Sequence, residues 1–221
     1  MVFQPRFRLP WFLLGLVSSG LSSAYAENDS TEWIELFDGK TLEGWTQLNG
    51  TGTYRVEDGA IIGRTTPKSP NSFLCTDEVY GDFELEFETK VDDELNSGVQ
   101  IRSNTTGAKK VGRVNGPQVE IEAGPGEAGG VYGEAHKQWV FKPEKHDHFR
   151  NGEWNHFRVV AKGPSIRTFL NGVEISDGTA PEFERFYGAH PEGFIGLQIH
   201  SVRSNKGPFE VQWRNIRIRE L

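Results

Sequence analysis

Three polar residues in one phase of a strand offer the first chemistry in this sequence. In Gly116-Pro117-Gln118-Val119-Glu120-Ile121-Glu122-Ala123, Val119 and Ile121 alternate with Gln118, Glu120 and Glu122. Successive side chains of a strand point to opposite sides, so the apolar pair faces a core while two carboxylates and an amide share the other face. Such a row is either a solvated sheet surface or the floor of a site. Glu120 and Glu122 lie about 6.6–6.8 Å apart along the strand. That is near the roughly 5–5.5 Å carboxyl separation of retaining glycosidases. Productive pairs flank the bond they break, however, whereas residues two apart on one strand line up beside each other.

Two further strands carry polar rows of the same kind. Val99 and Ile101 alternate with Gly98, Gln100 and Arg102, and Ile195, Leu197 and Ile199 alternate with Gly196, Gln198 and His200. Phe83, Leu85 and Phe87 alternate with Glu84, Glu86 and Glu88. No turn or loop adjoins that last row, and it reads as surface. His146-Asp147-His148 has metal-like spacing, but it sits in a loop among Lys and Arg without further ligands, which is a weak signal. Cys75 is the single cysteine, so no internal disulfide forms, and without a Cys partner it reads as packing.

The elements that position these rows are short strands and tight turns. Asp58-Gly59 and Asn171-Gly172 each separate two extended runs by two residues, the signature of a type I′ hairpin. Near the C-terminus Phe209, Val211 and Trp213 share one phase and Ile216 and Ile218 the other, which requires a bulge near Arg214-Asn215. Helical periodicity is nearly absent. Many short strands with 26 glycines and six tryptophans predict an all-β sandwich of two antiparallel sheets. Residues 103–116 and 123–152 are too long for turns and are expected as loops shaping the mouth of a site; the second carries Tyr132, His136 and Trp139.

Arg6 and Arg8, the apolar run Pro10 to Val17, and Ala24-Tyr25-Ala26 have the pattern expected of a signal peptide over residues 1–26. The run falls short of the roughly 20 residues a spanning helix needs. The expected mature chain, 27–221, is one domain of 195 residues, with no membrane association after cleavage and a secreted or periplasmic location. It carries 22 basic against 31 acidic side chains, a formal charge of −9. So acidic a chain, without basic clusters, is a poor partner for nucleic acid or an anionic membrane.

These segments resemble the 3-keto-disaccharide hydrolase domain family, whose members have a concanavalin-like jelly-roll sandwich. The resemblance is carried by Leu36 to Trp45, Asn96 to Arg102, the Gln118 to Glu122 row and Gly152-Glu153-Trp154-Asn155. Phe169 to Gly172, Gly193 to His200 and Trp213 to Leu221 complete it in order. One position departs from the pattern. Many members carry Glu and then Gln two residues on, where this chain has Gln118 and then Glu120.

The resemblance implies glycosides oxidised to a ketone at C3 of the sugar. The ketone acidifies the C2 proton, so the C1 substituent can leave by elimination through an enolate, and water can add back. Such a site needs a base, an enolate stabiliser and an acid for the leaving group. On this implication Glu120 is the base, and His200 is an acid, a shuttle or a metal ligand. Arg102 steadies the enolate or orients a hydroxyl. Gln118, Glu122 and Gln198 bind sugar hydroxyls, and Tyr132 or Trp139 stacks on a ring. A divalent cation held by Glu120 and His200 would serve in place of Arg102. A lectin-like binding module without turnover is the alternative from another class.

Overall fold

The computed structural model describes residues 32–106, 112–124, 126–178 and 191–221; the signal segment expected at 1–26 lies outside them. Among the described residues there is no helix. Two eight-stranded sheets carry the chain, and every pairing within them is antiparallel.

The first sheet runs β14 (Val173–Gly178), β13 (Ser165–Leu170), β12 (Asn155–Lys162), β6 (Phe83–Val91), β16 (Glu210–Glu220), β4 (Ala60–Arg64) and β3 (Thr53–Glu57). The short β1 (Ile34–Glu35) also pairs with β16. The second runs β11 (Gln138–Phe141), β10 (Val131–Gly133), β9 (Pro117–Glu122), β7 (Asn96–Thr106), β15 (Phe194–Ile199), β5 (Ser72–Thr76) and β2 (Trp45–Leu48). There β8 (Arg113–Asn115) folds back on β7.

Period-2 alternation decides what each sheet buries. Leu85, Phe87, Phe157, Val159, Trp213 and Ile218 of the first sheet meet Val99, Val119, Ile121, Ile195 and Leu197 of the second in one core, all at most 1% exposed. Both two-residue turns form as expected. Asp58 and Gly59 have φ of 51° and 74°, Asn171 and Gly172 of 49° and 84°, and such left-handed pairs match the twist of a hairpin. The bulge near the C-terminus is also present. Pairing of β16 with β6 slips between Arg214 and Arg217, and Asn215 takes φ 51°. The slip returns both Trp213 and Ile216 to the core.

Two expectations need correction. The segments 103–116 and 123–152 are not plain loops, because β8, β10 and β11 form inside them, β10 and β11 extending the second sheet beyond β9 and β8 pairing with β7. The Glu84, Glu86, Glu88 row does face outward, but it is covered by arginines. Arg214 donates to Glu88 at 2.6 Å, Arg217 to Glu86 at 2.9 Å, and Arg158 and Arg219 both to Glu84. Glu84 is left only 4% exposed. These are cross-strand pairs from β12 and β16, so this face is a charge-matched lattice.

Candidate functional site

The outer face of the second sheet is where the three remaining polar rows meet. On β7 and β9, Asn96 stands opposite Glu122, Gly98 opposite Glu120 and Gln100 opposite Gln118. Gly98 also stands opposite Gln198 on β15, and Tyr132 on β10 opposite Gln118 and Trp139. Directly opposed residues share a face, so register alone gathers these side chains.

They are joined by hydrogen bonds. Gln118 Nε2 donates to Glu120 Oε1 at 2.8 Å, and Asn96 Nδ2 reaches both Glu120 Oε2 at 3.1 Å and Glu122 Oε2 at 3.2 Å. Gln118 Oε1 accepts from Gln100 Nε2 and from Gln198 Nε2, each at 2.7 Å. Gln118, Gln100 and Gln198 are at most 2% exposed although they point away from the core. Gly98 makes room for this. A Cβ there would stand 2.5 Å from Gln118 Cγ and Cδ, so the amide lies flat over bare backbone.

Glu120 is the electrostatic centre. It is 6% exposed, and burial raises its pKa to about 7, against the lowering pull of the Asn96 and Gln118 hydrogen bonds; Glu122 and Glu134 add repulsion. Burial likewise raises Glu122, opposed by the Asn96 hydrogen bond, with Glu127 as a like-charge neighbour. Tyr132 is pushed above the ordinary phenol value by burial and by the negative charge of Glu120 and Glu134, which keeps it an O–H donor.

Two joined clefts open over this floor. The smaller, about 230 Å³, is lined by Asn96, Glu120, Glu122 and Trp139 among others. The larger, about 670 Å³, runs over Asn71, Phe73, Arg113 and Lys137. Tyr132, Glu134 and His200 line both. The Tyr132 and Trp139 rings meet edge to face at 5.5 Å between centroids. The His200 Nδ1–H donates to the Ser201 carbonyl at 2.8 Å, which leaves the lone pair of the neutral ring on Nε2.

The structure thus brings Gln118, Glu120, Glu122, Gln198, His200, Tyr132 and Trp139 to one face. Arg102 is not among them. Its φ of 45° marks a break in β7, where pairing with β15 slips between Phe194 and Gly196. The guanidinium donates to Gly81 O and Gly163 O at 2.6 Å each and to Asp82 Oδ1 at 2.7 Å, with 1% exposure. It ties β7 to the connections of the other sheet, so the reading of Arg102 as an enolate stabiliser is corrected to a structural one. The bulge reverses the parity that simple alternation assigns.

Two residues of the face were not foreseen. Asn96 was legible, being in phase with Gly98 and Gln100. Glu134 was not, because it lies past the end of β10 and outside any alternation. It is 7% exposed, accepts from Asn71 Nδ2 at 3.1 Å and Gln198 Nε2 at 3.3 Å, and has Arg113 at 3.7 Å.

His146 is spent elsewhere, its Nε2 donating to Ala128 O at 2.9 Å and its ring stacked on His148. Cys75 packs with Leu48, Phe73 and Val114, and burial pushes its thiol pKa up. No three His, Cys, Asp or Glu side chains converge as a metal-holding group among the described residues. Glu120 and His200 would supply two of the donors a divalent cation needs.

The family described as the 3-keto-alpha-glucoside-1,2-lyase-like domain, the 3-keto-disaccharide hydrolase group, matches residues 32–219. The chain belongs to this family. A comparison with curated proteins finds no match. Among solved structures, the family member is similar to a protein of Parabacteroides distasonis provisionally assigned as a glycosyl hydrolase. That pair shares 24% identity over 86% of this chain and 95% of the other, with a TM-score of 0.64. It is also similar to carbohydrate-binding module CBM66 of Bacillus subtilis (16% identity, 78% and 93% covered, TM-score 0.57). A Bacillus subtilis protein of unknown function with a galectin-like fold has a TM-score of 0.65 at 9% identity, covering 86% and 96%. At these identities the likeness is one of fold.

Proposed function

We propose that this family member is an exported enzyme that cleaves 3-keto-glycosides at the anomeric bond by elimination, followed by hydration. The observation that carries the reading is Glu120: a buried carboxylate at the floor of a cleft, held by two amide donors, with its pKa raised to about 7. A general base is most effective when its pKa lies near the working pH.

In the first step Glu120 takes the C2 proton, and the electron pair of that C–H bond delocalises onto the C3 oxygen as an enolate. The pair then returns to form the C1=C2 double bond as the C1–O bond breaks. The departing oxygen keeps that bond's electrons and takes a proton from water in the open cleft or from the His200 imidazolium. Addition of water across C1=C2 restores the 3-keto sugar, so the net reaction is hydrolysis. Tyr132, kept protonated, is the hydroxyl donor at hand for the enolate in place of Arg102. His200 lines the junction of the clefts beside the departing oxygen; its Nε2 carries a proton there only as the imidazolium.

The exchange of acid and amide at 118 and 120 fits this reading. Because the two groups hydrogen-bond to each other, exchanging them keeps the pair and moves the carboxylate toward Asn96 and Glu122. A retaining glycosidase is disfavoured, since one Asn96 nitrogen touches both carboxylates and so sets them side by side.

A binding module without turnover is the second reading, favoured by how much of the amide row is engaged in its own hydrogen bonds. Incubating the protein with a 3-keto-glycoside and with its unoxidised parent, with and without chelator, separates the two. Release of aglycone from the 3-keto compound alone is expected. Binding of both without release would leave the module reading standing.

A further inference from the structure

The two clefts over the second sheet differ in charge as well as in size. The smaller is lined by Glu120, Glu122, Glu127 and Glu134 and by no Lys or Arg. Two of these have a cation partner, Glu127 with Lys142 at 3.0 Å and Glu134 with Arg113 at 3.7 Å, and Glu120 and Glu122 have none among the described residues. The larger is lined by Arg113 and Lys137 with Glu134 as its one carboxylate. In an acidic chain, two cations and one carboxylate lining a cleft are a local inversion of sign.

Both cations are set by backbone contacts. The Asn49 side chain accepts from Val114 N at 3.0 Å and donates to Gly112 O at 2.9 Å, clamping the chain on either side of Arg113. Arg113 uses Nη2 for its contacts with Glu134, at 3.2 Å to the carbonyl and 3.7 Å to the carboxylate. Lys137 donates its backbone N–H to Gly133 O at 2.7 Å, closing the turn between β10 and β11. Its ammonium has no carboxylate partner among the described residues.

We propose that the larger cleft is the leaving-group subsite and that Arg113 and Lys137 select leaving groups carrying an anionic substituent. This rests on Glu120 as the base. If the C2 carbon lies over Glu120 in the smaller cleft of about 230 Å³, the larger cleft, which shares Tyr132, Glu134 and His200 with it, is the adjoining space for a further group at C1. A cleft of about 670 Å³ holds a substituent of drug-like size. An anion would be repelled from Glu120 and Glu122, which have no cation partner among the described residues, and attracted to Arg113 and Lys137 beyond them. The substrate class is thus a neutral 3-keto sugar joined to an acidic aglycone or to an acidic second sugar.

The test compares the 3-keto-glucosides of phenol and of 4-hydroxybenzoate. Exposed ion pairs are modest and salt-screened, so kcat/KM should favour the benzoate by about threefold to tenfold, less at high salt. Lys137→Glu should lower that ratio at least threefold, while Glu86→Gln, on the opposite sheet, should leave it alone. Equal rates in the wild type, or a ratio indifferent to Lys137→Glu, would overturn the proposal and leave the catalytic reading intact. If neither 3-keto-glucoside turns over, the catalytic reading fails, and calorimetric binding of the same two compounds decides the subsite. Tighter binding of the anion, lost in Lys137→Glu, supports it; equal or absent binding overturns it.

Discussion

Gln118 and Glu120 stand two residues apart on one strand and hydrogen-bond to each other, the amide Nε2 donating to the carboxylate Oε1 at 2.8 Å. The same amide's oxygen accepts from Gln100 and Gln198, so the Glu120 carboxylate is positioned by three strands. Burial raises its proton affinity and the hydrogen bonds from Asn96 and Gln118 lower it in part, which leaves it near neutrality.

Replacing Glu120 by Gln keeps the shape and removes the base. Turnover of a 3-keto-glycoside should fall by about 10² or more with binding retained. Unchanged turnover, measured by aglycone release, would sink the catalytic reading.

The same variant should be more stable than wild type once pH rises above the ordinary carboxylate range, and fully so above about 7. The folded pKa of about 7 lies above the ordinary 4.5, so between those values the folded chain holds a proton that the unfolded chain has released. Stability therefore falls as pH rises through that window, and the cost is complete above about 7. Glu120→Gln should gain about 1–3 kcal/mol at pH 8 and little at pH 4.5. Urea denaturation at both pH values measures it.

With Glu120 as base, kcat/KM should rise with pH through about 7. Asn96→Ala removes a donor to the ionised form and should move that limb upward, whereas Glu122→Gln removes a like charge and should move it downward. Shifts of one sign in both variants would contradict the assignment.

Gly98→Ala places a methyl group 2.5 Å from Gln118 Cγ and Cδ. Displacing that amide should cost about 1–3 kcal/mol and lower activity, because Glu120 loses a partner. Retained activity and stability would show that the amide can move freely.

Arg102→Met should cost about 2–4 kcal/mol, since the Gly81 and Gly163 carbonyls lose a donor while Asp82, part-exposed, keeps the Gly163 N–H. Activity per folded molecule should stay near wild type. A selective loss of kcat in a stably folded variant would return Arg102 to the site.

The sequence by itself determined the sandwich, the two hairpin turns, the C-terminal bulge and the phase of each polar row up to Arg102. All of these follow from neighbours along the chain: side-chain parity has a period of two, and left-handed turns demand Asn, Asp and Gly. The flanking segments already set Glu84-x-Glu86-x-Glu88 apart from Gln118-x-Glu120-x-Glu122 as a surface row, but only the tertiary structure supplied the physical difference between them. The difference is what stands opposite. Glu84 meets Arg219, 135 residues away in the chain, and is neutralised; Glu120 meets Gly98 and amides, and is desolvated without a cation. Cross-strand register joins segments distant in sequence, so local pattern does not carry it. The same holds for Glu134, recruited from beyond a strand end, and for Arg102, whose direction reverses where pairing with β15 slips.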